Sequence, residues 1–68
     1  MPIQVVVNGE TRTVAEGQTI LGLLGELQLD PQRVAVELNR RIVKQPEWEG
    51  TILGAGARIE IVQFVGGG

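Results

Sequence analysis

The chain has 68 residues, six Lys or Arg against eight Asp or Glu, no His, Cys or Tyr, and a net charge of −2. That length admits one domain with room for one sheet and one helix, and no apolar run approaches the roughly 20 residues of a membrane helix. The missing His, Cys and Tyr remove the usual proton shuttle, thiol and phenol, while the acidic balance with one Trp and one Phe argues against nucleic acid.

Ile3, Val5 and Val7 alternate with Gln4 and Asn8, which is strand periodicity, and Asn8-Gly9 supplies the positive φ angles of a tight hairpin turn. Residues 11–15 read as the return strand, closed by Glu16-Gly17. Thr19 is placed to cap a helix, and Ile20, Leu23, Leu24 and Leu27 form one apolar stripe that would lie on the sheet. Gly22 and Gly25 each cost about 1 kcal/mol of helix propensity relative to Ala, so this helix depends on packing. Asp30-Pro31 is expected to end it, because the residue before proline is pushed out of helical angles.

Val34, Val36 and Leu38 alternate with Ala35, Glu37 and Asn39 as a third strand, Asn39-Arg40 reads as a turn, and Arg41-Ile42-Val43 as a short continuation. Arg40, Arg41 and Lys44 are the only local basic cluster, a solvated turn able to meet an acidic protein partner. Pro46-Glu47-Trp48-Glu49 reads as a single helical turn, with Trp48 sealing the core. Gly54-Ala55-Gly56 looks superficially like a phosphate loop, but Ile59 stands at the third-glycine position and a strand follows, so a turn is expected. Residues 58–65 alternate as the last strand, with Ile59 and Ile61 on one face. Glu37 and Glu60 both fall on strands, where solvated faces account for them, and no metal-ligand spacing occurs. The element order fits an α+β roll: a mixed sheet of four to five strands on one helix, as in a ubiquitin-like β-grasp, with the last strand beside the first. The expected limits are a domain over residues 1–65 and a flexible glycine tail over 66–68.

With catalytic side chains scarce, the carboxyl end is the chemically special group. Phe64-Val65 runs into Gly66-Gly67-Gly68, and glycine without a Cβ can thread a narrow channel and present an unhindered carboxylate. A carboxylate repels nucleophiles and has no good leaving group, so it needs activation. Transfer of AMP from ATP would neutralise it and install that leaving group, after which sulfur or an amine could attack. The chain would then be a macromolecular substrate, with catalysis supplied by a second enzyme.

Asn8-Gly9, Val34-Ala35-Val36-Glu37-Leu38-Asn39, Ile42-Val43, Trp48, and Ile59-Glu60-Ile61-Val62 followed by Phe64-Val65-Gly66-Gly67-Gly68 together resemble the thiamine-biosynthesis sulfur carriers, the ThiS family. The resemblance covers the whole chain, with two departures: Arg40-Arg41 where a small turn residue is common, and Ala57 in place of a frequent acid. Both departures bear on partner contacts rather than on the terminal chemistry.

The resemblance implies a β-grasp protein that is not itself an enzyme. Its terminal carboxylate, at Gly68, would be adenylated by an E1-like enzyme and converted to a thiocarboxylate. Gly66 and Gly67 would be the thread, and Phe64 and Val65 the docking approach, ordinary core packing being the competing reading of Phe64. Sulfur would come from cysteine through a desulfurase or a rhodanese-type protein and pass to a thiazole synthase. No cofactor is expected to be bound, ATP and the sulfur donor being used by the partner enzymes. Neither nucleic acid nor membrane is an expected partner, and without a signal-peptide pattern a cytoplasmic location is expected. The alternatives are a carrier like the small subunit of molybdopterin synthase, a ubiquitin-like modifier, and an interaction module whose glycines do nothing.

Overall fold

A computed structural model describes residues 1–64. Its strands are β1 (Ile3–Val7), β2 (Glu10–Val14), β3 (Val34–Leu38), β4 (Arg41–Val43) and β5 (Arg58–Gln63), with one helix, α1 (Ile20–Glu26), and 3-10 turns at Pro31–Arg33 and Gln45–Glu47. The five strands form one sheet in the order β2-β1-β5-β3-β4. β5 is therefore central: it runs parallel to β1, with Val6 opposite Arg58 and Val7 opposite Ile59, and antiparallel to β3 from Val34–Gln63 to Leu38–Ile59. The last strand lies beside the first, as expected.

Alternation decides the faces. Val5, Val14, Val34, Val36, Ile59 and Ile61 are buried on the helix side, where Ile20, Leu23 and Leu24 meet them with no exposed surface of their own. Burying such a side chain contributes about 1.5–3 kcal/mol, which outweighs the weak helix propensity of Gly22 and Gly25. Leu27 is only partly buried, at the margin of the stripe. Thr19 caps the helix as expected, its extended backbone letting Oγ1 accept the Gly22 N–H at 3.0 Å. A Cβ at Gly22 would meet the end of the Gln18 side chain, which would have to turn aside. The helix entry is also stitched to a later loop, through Leu53 N–H to Gln18 O at 2.8 Å and Ile20 N–H to Thr51 O at 3.1 Å. Trp48, 2% exposed, seals the core and donates its indole N–H to Val43 O at 2.7 Å.

Four expected boundaries move, each for a physical reason. The helix stops at Glu26 rather than at Asp30-Pro31. Gln28 takes a left-handed φ of 59°, its N–H bonds to Gly25 O at 3.1 Å, and Leu29 N–H bonds to Leu24 O at 3.0 Å. That is a Schellman stop, built on glutamine instead of glycine. Asp30 instead caps the following 3-10 turn, its Oδ1 accepting the Gln32 N–H at 2.9 Å. The return strand β2 begins at Glu10, one residue early, because the two-residue turn sets Glu10 directly opposite Val7. The helical turn expected over residues 46–49 is a 3-10 turn over Gln45–Glu47 capped by Trp48. The last strand ends at Gln63, since its neighbour β3 begins at Val34, directly opposite. The expected domain limit at residue 65 and the tail over 66–68 lie outside the described residues. Among the described residues no helix is long and apolar enough to cross a membrane.

Candidate carrier site at the end of the central strand

β5 carries the chain from the middle of the sheet toward the glycines, and two devices fix its course. On the β3 side the ladder is extended by one further bond, Phe64 N–H to Arg33 O at 2.7 Å. On the other side β1 ends at Val7, so the backbone of Ile61 has no strand beside it there. The Asn8 side chain fills that place. Its Oδ1 accepts the Ile61 N–H at 2.7 Å and its Nδ2 donates to Ile61 O at 3.1 Å, the two bonds a peptide group of a longer β1 would make. Each satisfied pair avoids about 1–3 kcal/mol of desolvation penalty on a part-buried backbone group. Asn8 is visible in the sequence as a turn residue only. Its tie to Ile61 spans 53 positions, and no local pattern signals it.

Three of the exposed large apolar residues stand on or beside the central and edge strands β5 and β4. Ile42 is 76% exposed, Val62 60% and Phe64 56%. Phe64 is therefore not packed in the core. Val65, Gly66, Gly67 and Gly68 fall outside the described residues. The structure also brings together two residues that the sequence leaves apart: Glu37 on β3 lies directly opposite Glu60 on β5, and Ile42 on β4 lies opposite Glu37. Both glutamates are exposed, in agreement with solvated strand faces. Like charges directly opposite one another are destabilising, so the row Ile42, Glu37, Glu60 is not what stability alone would select.

Nothing among the described residues assembles a catalytic centre. No polar or charged residue is buried there, and no group of three or more acidic side chains is arranged to hold a metal ion. A cleft of about 420 Å³ beside Asn8, Arg12, Leu27, Leu29, Ile61 and Gln63 is open to solvent, and no buried polar group lines it. The loop containing Gly54, Ala55 and Gly56 is a turn rather than a phosphate cradle: Gly56, at φ 79°, gives its N–H to Gln4 O at 2.7 Å, which fastens the loop to β1.

A five-stranded mixed sheet on one helix, with the last strand at its centre, is a ubiquitin-like β-grasp domain. The chain belongs to the ThiS family, whose sequence profile matches residues 5–68. A crystal structure of the thiamine biosynthesis protein ThiS from Geobacter metallireducens superposes with a TM-score of 0.83 at 32% identity, covering 97% of this chain and 100% of that one. The sulfur carrier protein ThiS of Escherichia coli is 30% identical over 66 residues, 97% of this chain and 100% of its own. A thiazole synthase of Paramagnetospirillum magneticum is 41% identical over 66 residues, and there the chain spans only 20% of the relative's length.

Proposed function

We propose that this chain is a sulfur carrier that works as a protein co-substrate, with partner enzymes supplying all catalysis. The Gly68 carboxylate attacks the α-phosphorus of ATP in the site of an E1-like enzyme, pyrophosphate leaves, and the acyl carbon becomes an acyl adenylate. Sulfur leaves cysteine as the outer sulfur of a persulfide on a desulfurase or a rhodanese-type protein; its attack on the acyl carbon expels AMP and forms an acyl disulfide, which a second thiol reduces, itself ending in a disulfide, to release the thiocarboxylate. A thiazole synthase then takes that sulfur for the thiazole ring of thiamine. Gly66 and Gly67 serve as the thread through the partner's channel, and Phe64 and Val65 as the docking approach. ATP and the sulfur donor belong to the partners, and the chain works in the cytoplasm without nucleic acid or membrane.

The observation that carries this reading is that the family match runs through residue 68 and so takes in all three glycines. A match confined to the folded head would support the fold and leave the chemistry open. The exposed Phe64 at the end of a central strand fits the same reading, because an aromatic side chain held out of the core is suited to anchoring a partner.

The test is the intact mass of the protein purified from cells with active sulfur metabolism. A fraction with sulfur in place of one terminal oxygen, mapped to the last peptide, is expected. A plain carboxylate in every molecule, with the adenylating enzyme and sulfur source present, would overturn the proposal.

A further inference from the structure

We propose that Asn8 is a deamidation site held closed by the fold: its side-chain amide is protected while it bridges to Ile61 and is lost when that bridge opens. The site is independent of the sulfur-carrier reading.

The sequence supplies the reactivity. Asn8 precedes Gly9, and glycine has no Cβ to hinder the approach of its backbone nitrogen to the preceding side chain. In the ring-closing step that nitrogen attacks Cγ of Asn8, an N–C bond forms, the Cγ–Nδ2 bond breaks, and Nδ2 leaves as ammonia with the proton of the Gly9 N–H. Water then opens the five-membered imide at either carbonyl. The product is an aspartate, or an isoaspartate whose backbone runs through Cβ and Cγ. Water is the only co-reactant, and nothing is oxidised or reduced.

The structure supplies the lock. Asn8 is exposed, so water reaches it and burial does not protect it. Its amide is instead fixed at both ends, Oδ1 accepting the Ile61 N–H at 2.7 Å and Nδ2 donating to Ile61 O at 3.1 Å. Ring closure must bring Cγ to bonding distance of the Gly9 nitrogen and make it tetrahedral, which a planar amide pinned at both ends resists. Reaction in the native chain therefore waits on local opening of the turn or of β5.

The product cannot rebuild the bridge. An amide both donates and accepts, whereas a carboxylate only accepts. The oxygen that replaces Nδ2 would face Ile61 O with no proton between them, leaving a nearly buried carbonyl unsatisfied. A chain that has opened long enough to react thus keeps a chemical mark, and the mark lies on the strand that leads to the carboxyl end.

Asn39, the chain's other asparagine, is an internal control. It holds the same place in the second hairpin turn, with a φ of 51° against 50° for Asn8. The residue after it is Arg40, whose side chain hinders the attack. Its Oδ1 accepts the Arg58 N–H at 3.0 Å, and its Nδ2 has no bond among the described residues. A carboxylate would accept that bond at least as well. One turn joins a reactive sequence to a tie that only an amide can make; the other joins a hindered sequence to a tie that any acceptor oxygen can make.

The test incubates the full chain at mildly alkaline pH, native and in denaturing guanidinium chloride, and follows ammonia loss at each asparagine by peptide mass mapping. Asn8 is expected to react at least about tenfold faster in the unfolded chain than in the native one, and faster than Asn39 once both are unfolded. Asn8→Asp is expected to lower the melting temperature by at least about 4 °C, and Asn39→Asp by less than about half as much. Equal rates at Asn8 in native and unfolded chains would overturn the lock, and an unfolded Asn8 no faster than Asn39 would overturn the assigned reactivity. A wild-type melting temperature for Asn8→Asp, or an equal loss from Asn39→Asp, would overturn the amide-specific tie. Failure of Asn8→Asp to fold while Asn39→Asp folds would support that tie, and the wild-type rates test the lock in either case.

Discussion

The turns Asn8-Gly9 and Asn39-Arg40 close two hairpins of one sheet with the same backbone, and their first residues do the same work. Asn8 and Asn39 have φ angles of 50° and 51°, and each ties its hairpin to β5. Asn39 bonds the start of that strand, through its N–H to Arg58 O at 2.8 Å and its Oδ1 to the Arg58 N–H. Asn8 bonds further along, through its N–H to Ile59 O at 2.9 Å and its side chain to both backbone groups of Ile61. The strand leading to the glycines is thus held by an asparagine from each side. The turns part company at the second position, where one has Gly9 and the other Arg40. Loop length fixes the geometry in both; only the first turn has the residue that geometry prefers. The second carries a side chain that folding alone does not need.

Removing the asparagines tests the shared part of this comparison, with the largest expected effect. Asn8→Ala strips two partners from the nearly buried Ile61 and should destabilise the domain by about 2–4 kcal/mol, measured by urea unfolding. Asn39→Ala loses a single exposed bond and should destabilise by about 1–2 kcal/mol. Equal losses would mean that the two ties are equivalent and that burial at Ile61 counts for little. Gly9→Ala, in open space with only its φ of 86° to contend with, should destabilise by about 1–2 kcal/mol. Arg40→Gly should act in the opposite sense and stabilise by about 0.5–1 kcal/mol, net of the added freedom of the unfolded chain. Loss of stability there would show that the arginine supports the turn after all. Smallest of all, Glu60→Thr should stabilise by a few tenths of a kcal/mol, about the lower part of the range for relieving a like-charge cross-strand pair.

The sequence is informative where structure depends on near neighbours. Strand alternation at Ile3–Val7 and Val34–Leu38, the Asn8-Gly9 turn and the Thr19 cap are local features, and each is found where its pattern stands. The helix stop was not legible because Gln28, not glycine, takes the left-handed angle, and the hydrogen bonds that hold it there do not appear as a residue type. The end of β5 was not legible because a strand ends where its partner's ladder ends, and that partner starts 29 positions earlier, at Val34 opposite Gln63. Asn8 bridging to Ile61 and Glu37 facing Glu60 are consequences of register, a tertiary property. For the candidate site, composition supplied an expectation only: the absence of His, Cys and Tyr turned attention from side chains to Gly66-Gly67-Gly68. Only the coordinates reveal that Phe64 stands exposed rather than in the core.

The account rests on a folded head presenting a terminal carboxylate to an activating enzyme. ATP–pyrophosphate exchange by the purified adenylating enzyme tests this most directly, with the full chain compared against a chain lacking Gly67 and Gly68. Exchange with the full chain, none with the shortened one, and the same melting temperature for both is the predicted result, because terminal glycines bury no side chain. Undiminished exchange with the shortened chain, or none with the full chain, would contradict it.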